Sequence, residues 1–315
     1  MSQRQARGAE VNPDPELSVI VVSWNTRELL RACLEALEAG RATLRTETIV
    51  VDNGSEDGSP DLVRERFPRV QLIANPDNRG FAAANNQALA QTHGRYVLLL
   101  NSDAEVEPEA LARLTRYADE HPEVGILGPK LLYPDGRLQP SGGPLPTPLW
   151  TIAGLLGLSG LLGRPRYGTL RDYGRPAEVE EVSGAAMLVR REVIDRIGRL
   201  DEGFTWGYED VDFCLRARRA GWRVHYVPDA RVRHHWGGSS RLAPAATTLR
   251  AIAGRQRYFR KHYGRGAAAL VMAGTAVSHG LRLIAFGALA VGSRVARGRA
   301  RTEWQILQQL PRTGR

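Results

Sequence analysis

Residues 17–23 read LSVIVVS, an almost unbroken apolar run of strand length, and the pattern returns at 47–52 as ETIVVD. A strand filled with Val, Ile and Leu has no wet face. It must be covered on both sides, which in practice means helices crossing over a parallel sheet. The intervening residues supply such a helix: after Asn25 or Thr26 as cap, Leu30, Cys33, Leu34 and Leu37 recur at helical spacing until Gly40. Further strands are expected at 70–74 (VQLIA) and 95–100 (RYVLLL), with helices opening at Ser59-Pro60, running over about 80–92, and opening at Pro108 through 120. The class is α/β, a mostly parallel, Rossmann-like sheet flanked by helices. In such sheets ligands sit beyond the carboxyl ends of the strands, so the residues just after each strand are the candidate site.

Beyond the repeating units the signals thin out. Residues 138–148 are rich in Pro and Gly, and 149–163 (LWTIAGLLGLSGLLG) carry no charge. That stretch is short against the roughly 20 residues of a bilayer span, which leaves a flexible acceptor-side lid, a membrane-dipping loop or a buried helix. A strand follows at 185–190, a short helix from Glu192, a well-marked helix at 209–220 ended by Gly221, and a strand pair at 222–227 and 231–235. Two helical segments close the chain, the second at 266–292. Residues 1–16 are polar, lack a secretory apolar core and are expected to be a disordered tail. A domain at 17–240 then divides into two halves, 17–130 and 131–240, followed by a basic helical extension at 241–315. Cys33 and Cys214, both on apolar helix faces, read as buried thiols of a reducing compartment.

Strand ends finish in oxygen-bearing side chains: Ser23-Trp24-Asn25, Asp52-Asn53-Gly54-Ser55 and Asn101-Ser102-Asp103. Such residues also cap helices and form turns, and their concurrence on one sheet edge is what gives them weight. A hard divalent cation, held by one or two carboxylates and by phosphates, offsets the charge of a departing nucleoside diphosphate, and Asp103 is placed for that role. Trp206-Gly207-Tyr208-Glu209-Asp210 opens the 209–220 helix. Its two carboxylates fall in the first turn, where the helix dipole is expected to keep a general base ionised, and the aromatic rings before them could stack on a sugar. In His234-His235-Trp236-Gly237-Gly238 adjacent histidines on a strand point to opposite sides, so one of them can face the site.

Taken together, Val21 to Asn25, Val51 to Ser59, NPDNRGFAAANN at 75–86, LLLNSD at 98–103, SGAAMLVRR at 183–191, Tyr208 to Asp212 and His235-Trp236-Gly237-Gly238 resemble the family 2 glycosyltransferases of the GT-A fold, and within them the rhamnosyltransferase-like branch. The resemblance implies an inverting transferase that moves a sugar from a nucleoside diphosphate donor to a hydroxyl of a glycan or polyprenyl-linked acceptor. It implies that 17–130 is the nucleotide-sugar-binding half and 131–240 the acceptor and catalytic half, with donor contacts from Ser23, Asn25, Asp52, Asn78, Gly80, Asn85, Asn101 and Ser102. Asp103, with Asn101 where the family's D-x-D motif begins, and His235 are implied to hold Mg²⁺ or Mn²⁺. Asp210 is implied as base with Glu209 beside it, and Gly184, Trp206 and Tyr208 as acceptor contacts. A dTDP-rhamnose donor follows from the branch alone.

Residues 241–315 carry 14 Lys and Arg against Glu303 alone, while the remainder is slightly acidic. Basic residues interleaved with Tyr258, Phe259 and Tyr263, followed by the apolar 266–292 segment and Arg294, Arg297, Arg299 and Arg301, point to an anionic membrane surface rather than nucleic acid. His279 and Arg282 make a full span costly, and a packed soluble helix is the third reading. The expected location is the cytoplasmic face of the cell membrane. Two other functions fit a sheet of this kind: a nucleotidyltransferase making activated sugars, or a catalytically silent glycan-binding or scaffold protein. The first usually has a Gly-rich basic loop after its first strand, which 19–25 lacks.

Overall fold

The computed structural model describes residues 15–40, 44–159, 169–170, 172–236, 244–290 and 293–310. Its first half follows the apolar periodicity. Strands β1 (Leu17–Ser23), β2 (Thr46–Asp52), β3 (Gln71–Ala74) and β4 (Tyr96–Asn101) line up as β3-β2-β1-β4, all parallel. Crossover helices α1 (Arg27–Ala39), α2 (Ser59–Arg66) and α3 (Phe81–Leu89) cover the two faces. Leu17, Val19 and Val21 pack with Leu30 and Leu34 of α1, and Ile20 packs with Ala82 and Ala88 of α3, so the strands are indeed buried on both sides. Register sets the site: Ser23 pairs with Asp52 and Val22 with Asn101, so three strands end level on one edge.

The second half departs from the expected pattern. After β5 (Ala104–Val106) and α4 (Ala110–Glu120), a central strand β6 (Val124–Leu132) occupies a segment to which no strand was assigned. Its glycines explain the omission, because they look like punctuation yet serve packing. A Cβ on Gly128 would stand 2.6 Å from Val182, and one on Gly125 2.6 Å from Val193. The chain continues through β7 (Leu138–Gln139), β8 (Gly142–Gly143), α5 (Pro148–Leu155), β9 (Ala177–Val179), β10 (Glu181–Val182) and β11 (Ala186–Arg190) to helices α6 (Arg191–Ile197) and α7 (Glu209–Arg219). Strand β11 lies between β4 and β6, antiparallel to both.

The anticipated strand pair at 222–227 and 231–235 is one strand, β12 (Arg223–His234), parallel to β6 with a register shift between Val227 and Arg231. Pro228 and Asp229 break the ladder locally, as a missing N–H and a bulge do, without turning the chain. Because β6 spans residue 130, the two proposed halves share one continuous sheet. Edge strand β5 pairs with β12, setting Ala104 opposite His234 and so bringing the end of β4 beside the end of β12.

Helix α8 (Pro244–Ala288) changes direction at Gly264 (φ 87°), and α9 (Arg294–Gln309) packs along it. The first nine residues of the uncharged 149–163 stretch belong to α5 and the turn after it, with Trp150 and Ala153 buried and Ile152 beside Gly274 of α8. Residues 1–14 of the tail, 160–163 of the apolar stretch and Gly237 and Gly238 of the glycine pair lie outside the described residues. Cys33 and Cys214 are buried free thiols.

Candidate active site

On the β1–β2 edge, hydroxyls form a buried chain: Ser23 Oγ lies 3.1 Å from Thr26 Oγ1, which lies 2.8 Å from Ser102 Oγ. Asn25, in the left-handed region (φ 52°), donates its N–H to Ser55 Oγ and accepts from the Glu56 N–H, both at 2.8 Å. These bonds shape a cup whose floor is Asp52. One Asp52 oxygen accepts from the Ser55 N–H (2.8 Å), while Oδ2 is buried with no partner among the described residues. A second orphan acceptor, Asn85 Oδ1, lies in α3, the Asn85 amide donating instead to Phe81 O (2.9 Å). Buried acceptors left unmatched are costly to the fold, and a ligand with N–H or O–H groups satisfies them. Asn78 is exposed and accepts from the Gly80 N–H (2.9 Å), shaping the turn into α3. Gly80 (φ 84°) passes close under Thr205, where a Cβ would come within 3.1 Å of the carbonyl oxygen.

At the end of β4, Asp103 Oδ1 faces an imidazole, and that imidazole is His234. Its Nε2 is 3.1 Å from Asp103 Oδ1 and 3.3 Å from Asn101 Nδ2. The sequence expectation had named His235, whereas the ring beside Asp103 is that of His234. The His235 ring turns to the other side of β12, with Nε2 2.6 Å from Glu105 Oε1, and only its backbone N–H reaches Asp103 O (2.9 Å). The cause is strand alternation: pairing of β12 with β5 fixes the phase, which sequence alone left open. No group of three or more His, Cys, Asp or Glu side chains among the described residues could enclose a metal. A cation that bridges phosphates needs only one or two protein ligands, however, and two cis ligands at about 2.1 Å from an octahedral ion stand about 3 Å apart. The Asp103–His234 spacing meets that requirement.

Asp210 is fixed by two backbone donors, Gly184 N–H to Oδ2 and Val211 N–H to Oδ1, each at 2.9 Å. Gly184 precedes β11, and the next residue's carbonyl, Ala185 O, accepts from the Asn101 N–H (3.0 Å). Two adjacent residues thus connect the Asp210 carboxylate to the strand end that carries Asp103. Glu209 is buried, and its Oε2 has no partner among the described residues. Burial first, and then the charge of Asp210, push Glu209 up to about 8. Asp210 is itself raised by burial, although the Gly184 and Val211 N–H groups oppose the shift. Burial outweighs the opposing backbone N–H groups at both carboxyls.

A third carboxyl, Glu181 of β10, is missed by sequence reasoning. It is buried, and burial together with the Asp210 charge raises it well above the usual range. Trp206 is exposed beside this corner, whereas the Tyr208 ring packs on Tyr258 (centroids 5.6 Å apart) and interacts with Arg255 rather than lying open as a stacking surface.

Part of the basic tail is consumed inside the fold. Arg257 and Lys261 bind Asp201 (2.8 and 2.7 Å), and Lys261, His262 and Arg216 surround the fully buried Asp212 (2.7, 2.7 and 2.8 Å). Gly254 presses on the loop before α7, where a Cβ would come within 2.5 Å of Gly207 O. The first half of α8 therefore buttresses the acidic helix. Arg294, Arg297, Arg299 and Arg301 remain exposed. A cavity of about 830 Å³ lined by Arg95, Arg113, Arg116 and Asp119 lies at the opposite ends of β1 and β4, remote from all of these groups.

A mixed α/β sheet whose level strand ends gather a buried carboxylate cup, a carboxylate–imidazole pair and a backbone-anchored acid defines a GT-A-type group transferase. Residues 18–198 match the family described as "Glycosyl transferase family 2", and 166–264 match "Glycosyltransferase like family 2". The chain belongs to glycosyl transferase family 2 and is an enzyme of the hexosyltransferase class. It is 32% identical over 250 residues to the N-acetylglucosaminyl-diphospho-decaprenol L-rhamnosyltransferase of Mycobacterium tuberculosis, covering 73% of this chain and 79% of that one. A second relative, the uncharacterized protein y4gI of Sinorhizobium fredii, is 31% identical over 241 residues, and the match spans 71% of this chain and 25% of that protein. Among solved structures, the mannosyltransferase PcManGT of Pyrobaculum calidifontis in complex with GDP-Man and Mn²⁺ shares the fold (TM-score 0.56, 20% identity, 96% of this chain and 88% of that one). Family membership sets aside the silent-scaffold and nucleotidyltransferase readings.

Proposed function

We propose that the enzyme transfers a sugar, with inversion, from a nucleoside diphosphate donor to a hydroxyl of a lipid-linked glycan acceptor, using Asp210 as base. The observation that carries this is the backbone link from the Asp210 carboxylate through Gly184 and Ala185 to Asn101, which sets a proton acceptor beside the phosphate-side edge. The Asp52 cup, with its free Oδ2, suits a base or ribose that donates hydrogen bonds, and Asn85 Oδ1 offers a second such contact. Asp103 and His234, in place of His235, would hold Mg²⁺ or Mn²⁺, which when bound neutralises charge on the diphosphate leaving group. The raised Asp210 carboxyl is a stronger base once ionised than an ordinary aspartate, and its two N–H anchors keep it aimed while it takes the hydroxyl proton. Trp206, exposed before α7, would pack on the acceptor sugar.

The relative from M. tuberculosis supports rhamnose as the sugar, with dTDP-rhamnose as donor, and a polyprenyl diphosphate carrier on the acceptor. Membrane attachment through 241–315 fits that acceptor. Helix α8 contains an apolar stretch long enough to cross a bilayer, and Leu270, Val277, Leu281 and Ile284 are exposed on it. The buried His279–Glu303 pair (2.5 Å) joins α8 to α9, however, and favours a hairpin lying on the surface with its arginines at anionic headgroups.

Incubation of the enzyme with a panel of nucleoside diphosphate sugars and a short polyprenyl-diphosphate glycan, with and without chelator, tests the proposal. Metal-dependent transfer with inverted anomeric configuration is expected, read by proton NMR of the product. A product of retained configuration would contradict it.

A further inference from the structure

Gln139 of β7 is fully buried, paired with Leu131 of β6, and its Oε1 lies 2.8 Å from His234 Nδ1. Across the ring, His234 Nε2 faces Asn101 Nδ2 at 3.3 Å and Asp103 Oδ1 at 3.1 Å. An amide oxygen only accepts, so the Nδ1 it meets carries the ring hydrogen; an amide nitrogen only donates, so the Nε2 it meets presents a lone pair. The two amides, reaching the ring from different strands, select the same neutral tautomer.

Asp103 alone would select the opposite one, because a carboxylate beside Nε2 favours an N–H there. With Nδ1 holding the hydrogen, a carboxylate oxygen and an imidazole lone pair face each other at 3.1 Å, an arrangement that repels unless a cation is shared between them. The Gln139 amide also carries a cost: its Nε2 is buried with no partner among the described residues. A buried donor left unmatched is kept where something other than stability requires the side chain.

We propose that Gln139 is a positioning residue that holds His234 as the Nδ1–H tautomer and so turns the Nε2 lone pair toward the divalent cation. This rests on the reading that Asp103 and His234 hold that cation. The partner of a ligating histidine's second nitrogen typically governs metal affinity about 10–100-fold.

Two measurements test it. Imidazole nitrogen–proton NMR on the metal-free enzyme, with the His234 signal assigned by subtraction of His234→Ala, is expected to show the hydrogen on Nδ1; a hydrogen on Nε2 overturns the proposal, whether or not Gln139→Leu folds. Calorimetry with Mn²⁺ and dTDP is expected to show about 10–100-fold weaker cation binding in Gln139→Leu, with Tm changed little, because the orphan Gln139 donor is gone but the His234 Nδ1–H is left unpaired in its place. Gln139→Glu, whose carboxylate accepts the same N–H, is expected to retain wild-type affinity. Wild-type cation affinity in Gln139→Leu overturns the proposal. If His234→Ala also binds Mn²⁺ as tightly as the wild type, the cation reading itself fails; if only Gln139→Leu does, that reading stands and the positioning role falls.

Discussion

Two acidic corners of the same site treat their carboxylates in opposite ways. At the end of β4, Asp103 meets the His234 imidazole, whose Nε2 also faces the Asn101 side-chain amide, and the Asp103–His234 spacing suits a shared ion. At the start of α7, Glu181, Glu209 and Asp210 crowd together with backbone N–H groups as the hydrogen-bond donors to Asp210, and burial raises all three carboxyls. The contrast shows that side-chain identity does not decide the chemistry. Neighbouring donors make one corner suited to a cation and the other suited to taking up a proton.

Removing the ionisable group from the second corner is expected to have the largest effect. Asp210→Asn should lower kcat by about 10²–10⁴ while donor binding is kept, as a general base acting only in the chemical step requires; near wild-type turnover would end the base assignment. Next is the brace behind that corner. Asp212→Ala strands Arg216, Lys261 and His262 around an empty partner position, and chemical denaturation should show a loss of about 3–5 kcal/mol. At the first corner, His234→Ala should weaken cation affinity about 10–100-fold and His235→Ala should change it little, since the His235 ring contacts Glu105; the reverse ranking would restore the assignment read from the sequence.

A separate effect, read in stability rather than in turnover or affinity, is on pH dependence. A carboxyl raised to about 8 in the fold favours the folded state most fully below the ordinary carboxylate pKa, and that advantage is lost as pH rises to about 8. Wild-type stability should therefore fall between about pH 4.5 and 8, and Glu209→Gln should flatten the slope. A slope unchanged in the variant would place the proton elsewhere.

What the sequence disclosed follows from what each segment buries. Strands β1, β2 and β4 were legible because both of their faces are covered, so the apolar run is continuous. Strand β6 was not, because Gly125 and Gly128 yield space to Val193 and Val182, contacts far away in the chain. Strand β12 was read as two because Pro228-Asp229 has the chemistry of a turn and the structure of a bulge. The Asp103 and Asp210 positions were marked by their places at a strand end and a helix start. Which of His234 and His235 lies beside Asp103 depended on the pairing of β12 with β5, and the shift of Glu209 depended on its burial in the fold, neither of which leaves a local signal. Arg257 and Lys261 counted as surface charge until Asp201 and Asp212 were found against them.

Side-by-side calorimetry of Asp103→Ala and Asp210→Asn, titrating Mn²⁺ in the presence of dTDP, tests the division of labour between the two corners most directly. Asp103→Ala is expected to lose cation-dependent nucleotide binding and Asp210→Asn to keep it. Loss in Asp210→Asn with retention in Asp103→Ala would contradict the account.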